Sequence, residues 1–221
     1  MKKPLGTALL LAVLAGTAQA GDITGTITLG SAPGARKQGQ TRAKYDDKDH
    51  SGDQVPNSES EVENVVIYLE GKGLKCTPVT KMGSGNTFDQ KNKEFLPHVL
   101  PIAKGSKVFF KNKDPFPHHV YSVSNPGNFE IMKHGSTVRS HDFDGSGEVE
   151  IFCGIHTKMN AYLLVVDTDY FCKPGADGKY RLGAVPAGDY ALMVWHPRLP
   201  KPEKRMITVP ASGPLKLDLK L

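Results

Sequence analysis

Two apolar runs joined by a six-residue connection constrain this chain more than any other feature. Residues 148–153 alternate toward an apolar end, and residues 160–167 contain an unbroken apolar run, so both segments predict β-strands. Residues 154–159 are too few to form anything but a tight loop. The spacing therefore predicts two connected strands, with Cys153 as the last residue of the first one.

The predicted loop contains side chains that bind soft metal ions. Cys153, His156 and Met159 follow one another at intervals of three residues, so a tight loop would point them at one centre. Thiolate, imidazole and thioether donors together suit a copper ion that cycles between Cu(I) and Cu(II). A second imidazole from another strand completes such a site. Both His118 and His119 are available upstream, and the residues alone leave open which of them binds.

The rest of the chain also predicts β-structure. Glycine and proline are frequent, with 23 and 16 residues, and no helical period is sustained after the first 20 residues. Residues 30–63 are polar and charged, which is typical of a long loop. Predicted strands cover residues 23–29, 65–70, 95–101, 107–112, 119–123, 136–143, 149–152 and 162–166, two segments within 177–197, and residues 206–209 and 215–221. We therefore expect an all-β fold built from sandwiches.

The first 20 residues predict a secretory signal peptide. Lys2 and Lys3 precede a short apolar core at residues 5–14, and Ala18-Gln-Ala20 resembles a cleavage site. The apolar core is too short to span a bilayer, and we expect no membrane span in the mature chain. Removal of the leader lowers the formal net charge from +5 to +3. This charge is too weak to indicate nucleic-acid binding, and no glycine-rich phosphate loop is present.

Two segments of the chain resemble the cupredoxins, the small blue copper proteins. The Cys-x-x-His-x-x-Met loop is similar to that of amicyanin, and residues 112–120 resemble the segment that carries the first ligand. Residues 95–101, 118–124 and 165–171 resemble periplasmic cupredoxin-like proteins labelled as methylamine-utilisation proteins. The resemblance implies a Greek-key β-sandwich with one type 1 copper ion bound by His118, Cys153, His156 and Met159.

The same resemblance gives roles to two more residues. His119 stands where the family usually has an asparagine that hydrogen-bonds near the cysteine sulfur. It is therefore expected to lie beside the metal ligands or to replace His118 as a ligand. Asn112 matches the asparagine that the family has some residues before its first histidine ligand, so we expect it to support the ligands or, as the alternative, to bind the ion itself.

The last part of the chain resembles a second kind of module. Residues 177–197 form two predicted strands around a Pro/Gly turn, similar to the carboxypeptidase-regulatory, transthyretin-like β-sandwich. That module normally opens with strands like those at residues 23–29 and 65–70. The resemblance implies a nested arrangement, in which a copper domain at residues 71–168 is inserted into a module formed by residues 21–70 plus 169–221.

The chain contains three cysteines, so a disulfide between two of them in an exported protein leaves the third one unpaired. If Cys153 binds copper, Cys76 and Cys172 remain, and an oxidising compartment favours a disulfide between them. In the nested arrangement this bridge would join the entry to the inserted domain with its exit. The alternative is a pair of free, buried thiols.

The ligand set and the leader together predict a periplasmic electron-transfer protein. Four protein ligands leave no open position for a substrate, so we do not expect an enzyme. The expected partners are redox proteins such as a c-type cytochrome or a periplasmic oxidoreductase. The alternative function is a copper carrier or sensor that transfers no electrons. The sequence predicts no oligomeric state.

Overall fold

A computed structural model describes residues 20–30 and 60–221 of the chain. These residues form strands, loops and two short 3-10 turns, Glu61–Asn64 and Ser84–Asn86, so the all-β prediction is confirmed. The predicted leader, except for Ala20, and most of the predicted polar loop lie outside the described residues. No helix among the described residues is long and apolar enough to cross a membrane.

The strands are β1 (Ala20–Thr28), β2 (Val66–Glu70), β3 (Thr87–Lys91), β4 (Glu94–Leu96), β5 (Val99–Ala103), β6 (Ser106–Asn112), β7 (His118–Ser122), β8 (Phe129–His134), β9 (Arg139–Phe143), β10 (Gly147–Cys153), β11 (Asn160–Val166), β12 (Phe171–Cys172), β13 (Lys179–Pro186), β14 (Gly188–Trp195), β15 (Glu203–Val209), β16 (Leu215–Lys216) and β17 (Leu219–Lys220). Strands β3, β8 and β12 were not predicted. The predicted strand at residues 95–101 is two strands, because Pro97 has no backbone N–H to donate to the ladder and interrupts it.

Two sheets enclose a first hydrophobic core. One has the strand order β5-β11-β10-β7-β8 and the other β4-β3-β6-β9. Alternate residues of these strands face the space between the sheets, as strand geometry requires. Three phenylalanines from the four-stranded sheet, Phe88, Phe95 and Phe110, pack there against Ile151 and Leu163 of the five-stranded sheet. Each such fully buried side chain contributes about 1.5–3 kcal/mol of transfer free energy.

Two further sheets enclose a second core. Their orders are β12-β2-β14-β15 and β13-β1-β16, with β17 also paired to β1. The second core contains Ile23 and Ile67 from the early part of the chain, and Leu182 and Leu192 from the late part. All buried members of the first core lie between Phe88 and Val165. The chain therefore leaves the second core after β2 and returns to it near β12.

A third apolar cluster joins the two sandwiches. Leu164 and Val166 of β11 face it, because their neighbours on the strand face the first core. Met193 and Trp195 of β14 pack against them from the other sheet. The indole N–H of Trp195 donates a hydrogen bond to Glu148 of β10, with a nitrogen-to-oxygen distance of 3.1 Å. The four sheets thus stack as successive layers with three apolar interiors.

The expected disulfide between Cys76 and Cys172 is not formed, and both residues are free thiols. Cys76 is exposed, and its sulfur lies 3.8 Å from the carbonyl oxygen of Val166. Cys172 is part of β12 and packs against the second core, whereas its neighbour Phe171 packs in the third cluster. Strand alternation therefore directs the Cys172 thiol into the second core, where burial raises its pKa to about 12.

Candidate metal centre

The loop between β10 and β11 brings three of the predicted ligands together. Cys153 is the last residue of β10, and its backbone N–H donates to the carbonyl oxygen of Met159 at 3.0 Å. The Met159 N–H donates in turn to the carbonyl oxygen of His156 at 2.9 Å. These bonds close residues 154–159 into the tight loop that the spacing predicts, directly before β11 begins at Asn160.

Strand β7 supplies the second imidazole. Cys153 of β10 pairs with Val120 of β7, which fixes the register of the two strands. Residues 118, 120 and 122 are consequently on the same face of β7, and all three are buried. His118 is fully buried on this face. The amide of Gly154 donates to the carbonyl oxygen of His119 at 2.8 Å, which anchors the start of the loop to β7.

The donor atoms of three side chains converge. The Cys153 sulfur lies 3.6 Å from Nδ1 of His118 and 3.6 Å from Nδ1 of His156. All three atoms are within 4.8 Å of one another. Bonds from a metal ion to histidine nitrogen and cysteine sulfur are about 2.0–2.3 Å long in well-characterised zinc sites. An ion between atoms at this spacing could therefore contact all three.

Met159, the fourth predicted ligand, is the last residue of the loop before β11. Its side chain is 2 % exposed and belongs to the first core, as does Cys153. A thioether is a weak, soft donor, so a loop that carries it together with a cysteine and a histidine matches the preferences of copper better than those of magnesium or calcium. The donor set therefore fits a copper ion on chemical grounds.

Hydrogen bonding at the centre favours the charged forms of two ligands. Burial raises the pKa of the Cys153 thiol, but hydrogen bonds with His118 and with backbone amides of the loop and of β7 outweigh burial and leave the pKa below its ordinary value. Burial lowers the pKa of His118, yet its hydrogen bonds to Cys153 and Asp114 leave that pKa above its ordinary value. The site thus stabilises a thiolate, which is the form that binds metal.

A carboxylate that sequence reasoning missed lies behind His118. Nε2 of His118 donates to Oδ2 of Asp114 at 2.8 Å, and the two side chains are 0 % and 4 % exposed. A proton on Nε2 leaves Nδ1, the nitrogen that faces Cys153, free to bind a metal. The only sequence signal was an acidic residue four positions before a candidate ligand.

His119 and Asn112 lie apart from the group of donor atoms. Nε2 of His119 pairs with the carboxylate of Glu130 at 2.7 Å. The Asn112 amide donates to the carbonyl oxygens of Phe116 at 2.8 Å and His134 at 3.3 Å. Its oxygen accepts from the backbone N–H of Asp114 at 2.8 Å. Asn112 therefore organises the loop that leads to His118.

Phe116 covers the two imidazoles. Its ring centroid lies 5.4 Å from that of His118 and 5.3 Å from that of His156. The two imidazole centroids are 4.9 Å apart. His156 and Phe116 are both partly exposed, whereas His118 and Cys153 are buried. The centre therefore reaches the protein surface along the edge formed by Phe116 and His156.

No protein-family model and no curated protein matches this chain. Solved structures do match parts of it. One is a copper-containing nitrite reductase from Thermus scotoductus SA-01, which is 28% identical over 43% of this chain, with a TM-score of 0.35. The matched part spans only 24% of that enzyme.

Two smaller proteins are matched over nearly their whole length. A purple cupredoxin from Nitrosopumilus maritimus is 20% identical over 37% of this chain and 99% of its own, with a TM-score of 0.34. An oxidised mutant of amicyanin is 15% identical over 45% of this chain and 98% of its own, with a TM-score of 0.36. Each of the three matches covers less than half of this chain.

Proposed function

We propose that this chain is a periplasmic electron carrier that holds one type 1 copper ion. His118, Cys153 and His156 would supply the three strong ligands, and Met159 the weak axial one. The observation that supports this assignment is the convergence of one thiol and two imidazoles within 4.8 Å, with His118 and Cys153 buried. A bound copper ion would supply a one-electron Cu(I)/Cu(II) couple.

The residues around the centre favour electron transfer over catalysis. Cys153 and His118 are held by paired strands, and hydrogen bonds close the loop that carries His156. Ligands held in this way move little when the charge of the ion changes, which keeps the reorganisation energy small. Four protein ligands also leave no open position for a substrate, which a catalytic metal site requires.

The partner is proposed to dock where the centre approaches the surface. The edge formed by Phe116 and His156 is partly exposed, and the neighbouring Lys158 is exposed. A lysine at the rim of a contact surface attracts acidic partners and accelerates their association. The partner class is a redox protein, such as a c-type cytochrome or a periplasmic oxidoreductase, that carries acidic groups around its own electron-entry site.

The proposed organisation of the chain follows its hydrophobic cores. The copper domain comprises residues 71–168, which contain the whole of the first core. It is inserted into a transthyretin-like sandwich of residues 21–70 plus 169–221, which contain the second core. The leader at residues 1–20 would direct export to the periplasm.

A titration with Cu(II) tests the copper assignment. The purified protein is expected to develop an intense thiolate-to-copper charge-transfer band in the visible range with one equivalent of copper. Cys153→Ser is expected to abolish this band. Cys76→Ser is the matched control and is expected to retain it, because Cys76 is a free, exposed thiol beside the carbonyl oxygen of Val166, the last residue of β11, whereas the loop lies before the first residue of that strand. A wild-type protein without the band would overturn the proposal.

A second measurement separates electron transfer from copper storage. The Cu(I)-loaded protein is mixed with an oxidised c-type cytochrome in a stopped-flow instrument, and the reduction of the haem is followed. Fast reduction that slows with increasing ionic strength supports a redox carrier with a charged docking surface. A protein that holds copper but exchanges electrons slowly would instead be a copper carrier or sensor.

A further inference from the structure

The carboxylate of Asp114 joins three parts of the structure. Its Oδ1 accepts a hydrogen bond from the backbone N–H of Asn92 at 2.6 Å. Its Oδ2 accepts from the backbone N–H of Lys93 at 3.0 Å and from Nε2 of His118 at 2.8 Å. The side chain is only 4 % exposed. A buried carboxylate with three N–H donors has its acceptor positions directed by the protein rather than by water.

The two backbone donors belong to the turn between β3 and β4. Asn92 and Lys93 have φ values of 56° and 61°, so both adopt the left-handed conformation. Lys91 and Glu94 pair across the turn, which makes it a two-residue hairpin of the kind that requires this conformation. Consecutive N–H groups in such turns point to the same side and receive an anion. Here the anion is the Asp114 side chain.

The backbone of Asp114 is held from the opposite side. Its N–H donates to Oδ1 of Asn112 at 2.8 Å, and the Asn112 amide also binds the carbonyl oxygen of Phe116. Asp114 is thus fixed through its backbone by the loop before β7 and through its side chain by the β3–β4 turn. The Oδ2 atom, held in this position, accepts the hydrogen bond from Nε2 of His118. This bond favours one orientation of the His118 ring.

We propose that Asp114 is a positioning residue for the copper centre, an inference that rests on the proposed function. It keeps the proton of His118 on Nε2, so that Nδ1 faces the Cys153 sulfur. It also places a negative charge behind a ligand imidazole, which favours Cu(II) over Cu(I) because Cu(II) carries the greater charge. The β3–β4 turn, 22 residues upstream in sequence at Asn92, thereby contributes to the properties of the metal site.

The test compares Asp114→Asn with the wild-type protein. Asparagine has nearly the same shape but no charge, and it cannot accept all three N–H groups. Loss of an outer partner of a ligand histidine typically weakens metal binding by about 10–100-fold. If the affinity falls for Cu(II) but not for Cu(I), the reduction potential rises by about 59 mV for each tenfold loss of Cu(II) affinity. We therefore expect weaker Cu(II) binding and a higher potential, with the visible band still present.

Glu130→Gln is the matched control. Glu130 pairs with Nε2 of His119 at 2.7 Å, which is the same contact on a histidine that does not face the donor atoms. Its carboxylate is more than half exposed, so its field is screened by water. We expect this variant to keep the wild-type potential and Cu(II) affinity. An equal shift in both variants would overturn the proposal, because it would show a general effect of charge.

A spectroscopic measurement on the unmodified protein covers the case in which Asp114→Asn does not fold. Histidine is labelled with ¹⁵N, and the Cu(I) protein is studied by NMR. The His118 ring is expected to carry its proton on Nε2, with slow solvent exchange because the carboxylate holds that proton. A fast-exchanging Nε2 proton, or a proton on Nδ1, would overturn the inference.

The outcomes separate this inference from the proposed function. If the wild-type protein forms no thiolate-to-copper band, the proposed function fails. If the wild type forms the band and Asp114→Asn has an unchanged potential and affinity, the copper assignment stands and the positioning role of Asp114 is wrong.

Discussion

At the scale of single residues, the choice between His118 and His119 shows how strand register assigns chemistry. Successive side chains on a strand point to opposite faces. The pairing of Cys153 with Val120 directs His118 inward to the sulfur, and the same register directs His119 outward to Glu130. The two histidines are identical in type and adjacent in sequence. Their surroundings differ entirely, because only one of them shares a face with the thiol.

This difference predicts opposite outcomes for the two glutamine variants. His118→Gln removes a donor nitrogen that lies 3.6 Å from the Cys153 sulfur. Loss of a residue that only hydrogen-bonds to a ligand weakens metal binding by up to roughly 100-fold. Because His118 is itself a proposed ligand, we expect the copper affinity of this variant to fall further and the visible band to disappear. His119→Gln is expected to retain the band and to bind copper within a few-fold of the wild type. Titration with Cu(II) in the presence of a competing chelator measures both. Loss of the band in His119→Gln alone would reverse the assignment.

The sequence indicated the donor types but not the role of Asp114. Cys153, His156 and Met159 lie in one loop, so their convergence follows from local spacing. Asp114 lies between Lys113 and Pro115 in a polar segment, which is typical of a solvated acid. It is buried because the β3–β4 turn supplies two N–H donors from a distant part of the chain. Contacts of that kind have no local sequence signal.

At the scale of elements, apolar alternation predicted most strands but not β3, β8 or the two-residue β12. Strand β3 buries Phe88 and Gln90, and the amide of Gln90 lies 3.1 Å from Nε2 of the buried His134. Strand β8 begins with the buried Phe129, but its next four residues are partly or fully exposed. A buried glutamine looks polar in sequence, so the hydrophobic period of β3 is not visible. By contrast, β10 and β11 have continuous apolar faces and were predicted almost to the residue.

The segment between β6 and β7 is expected to depend on one amide. Asn112→Ala removes the oxygen that accepts from the Asp114 N–H and the amide that donates to two carbonyl oxygens. Asn112 is only 5 % exposed, so water does not replace these partners freely. An unsatisfied buried polar group costs about 1–3 kcal/mol, so the free energy of unfolding should fall by at least that amount. Urea denaturation of the copper-free protein measures the change. Asn128→Ala, at an exposed position, serves as the control and should change stability by less than about 0.5 kcal/mol. Equal effects of the two variants would contradict this reasoning.

At the scale of the whole molecule, the order of the layers follows from strands that are apolar on both faces. Strand β11 directs Leu163 to the first core and Leu164 to the third cluster, and β14 directs Leu192 to the second core and Met193 to the third cluster. A sequence run of this kind predicts that both faces are buried. It does not say which sheet covers each face, because the partner strands are distant in sequence. Apolar runs of this kind therefore do not predict how the two sandwiches stack.

The stability of the molecule is expected to depend on pH through His196. This residue follows β14, is 4 % exposed, and has Nε2 3.3 Å from a carboxylate oxygen of Glu61. Burial lowers the pKa of His196, and the opposing effect of Glu61 does not compensate for it. In the unfolded chain an ordinary histidine binds a proton below pH of about 6.5, whereas the folded protein resists this protonation. The stability that His196 contributes by staying neutral is therefore present above that pH and is lost as the pH falls toward the pKa of His196 in the folded protein.

Urea denaturation between pH 7.5 and 5.5 checks this expectation. One buried neutral histidine contributes at most about 1.4 kcal/mol per pH unit to the slope of the unfolding free energy. The His196→Gln variant should show a smaller fall in stability toward acid than the wild type, even if it is less stable at pH 7.5. Parallel profiles for the two proteins would show that His196 remains free to take up a proton in the folded state.

The junction between the sandwiches also contains the only tryptophan of the chain. Trp195 is 2 % exposed, lies beside Tyr162, and bonds to Glu148 on the strand that ends at Cys153. The fluorescence of a buried indole in an apolar cluster has its maximum at short wavelength, and this maximum shifts to longer wavelength when water reaches the ring. The intrinsic fluorescence of this protein consequently reports on the junction between the two sandwiches, and it can follow their separation without any added label.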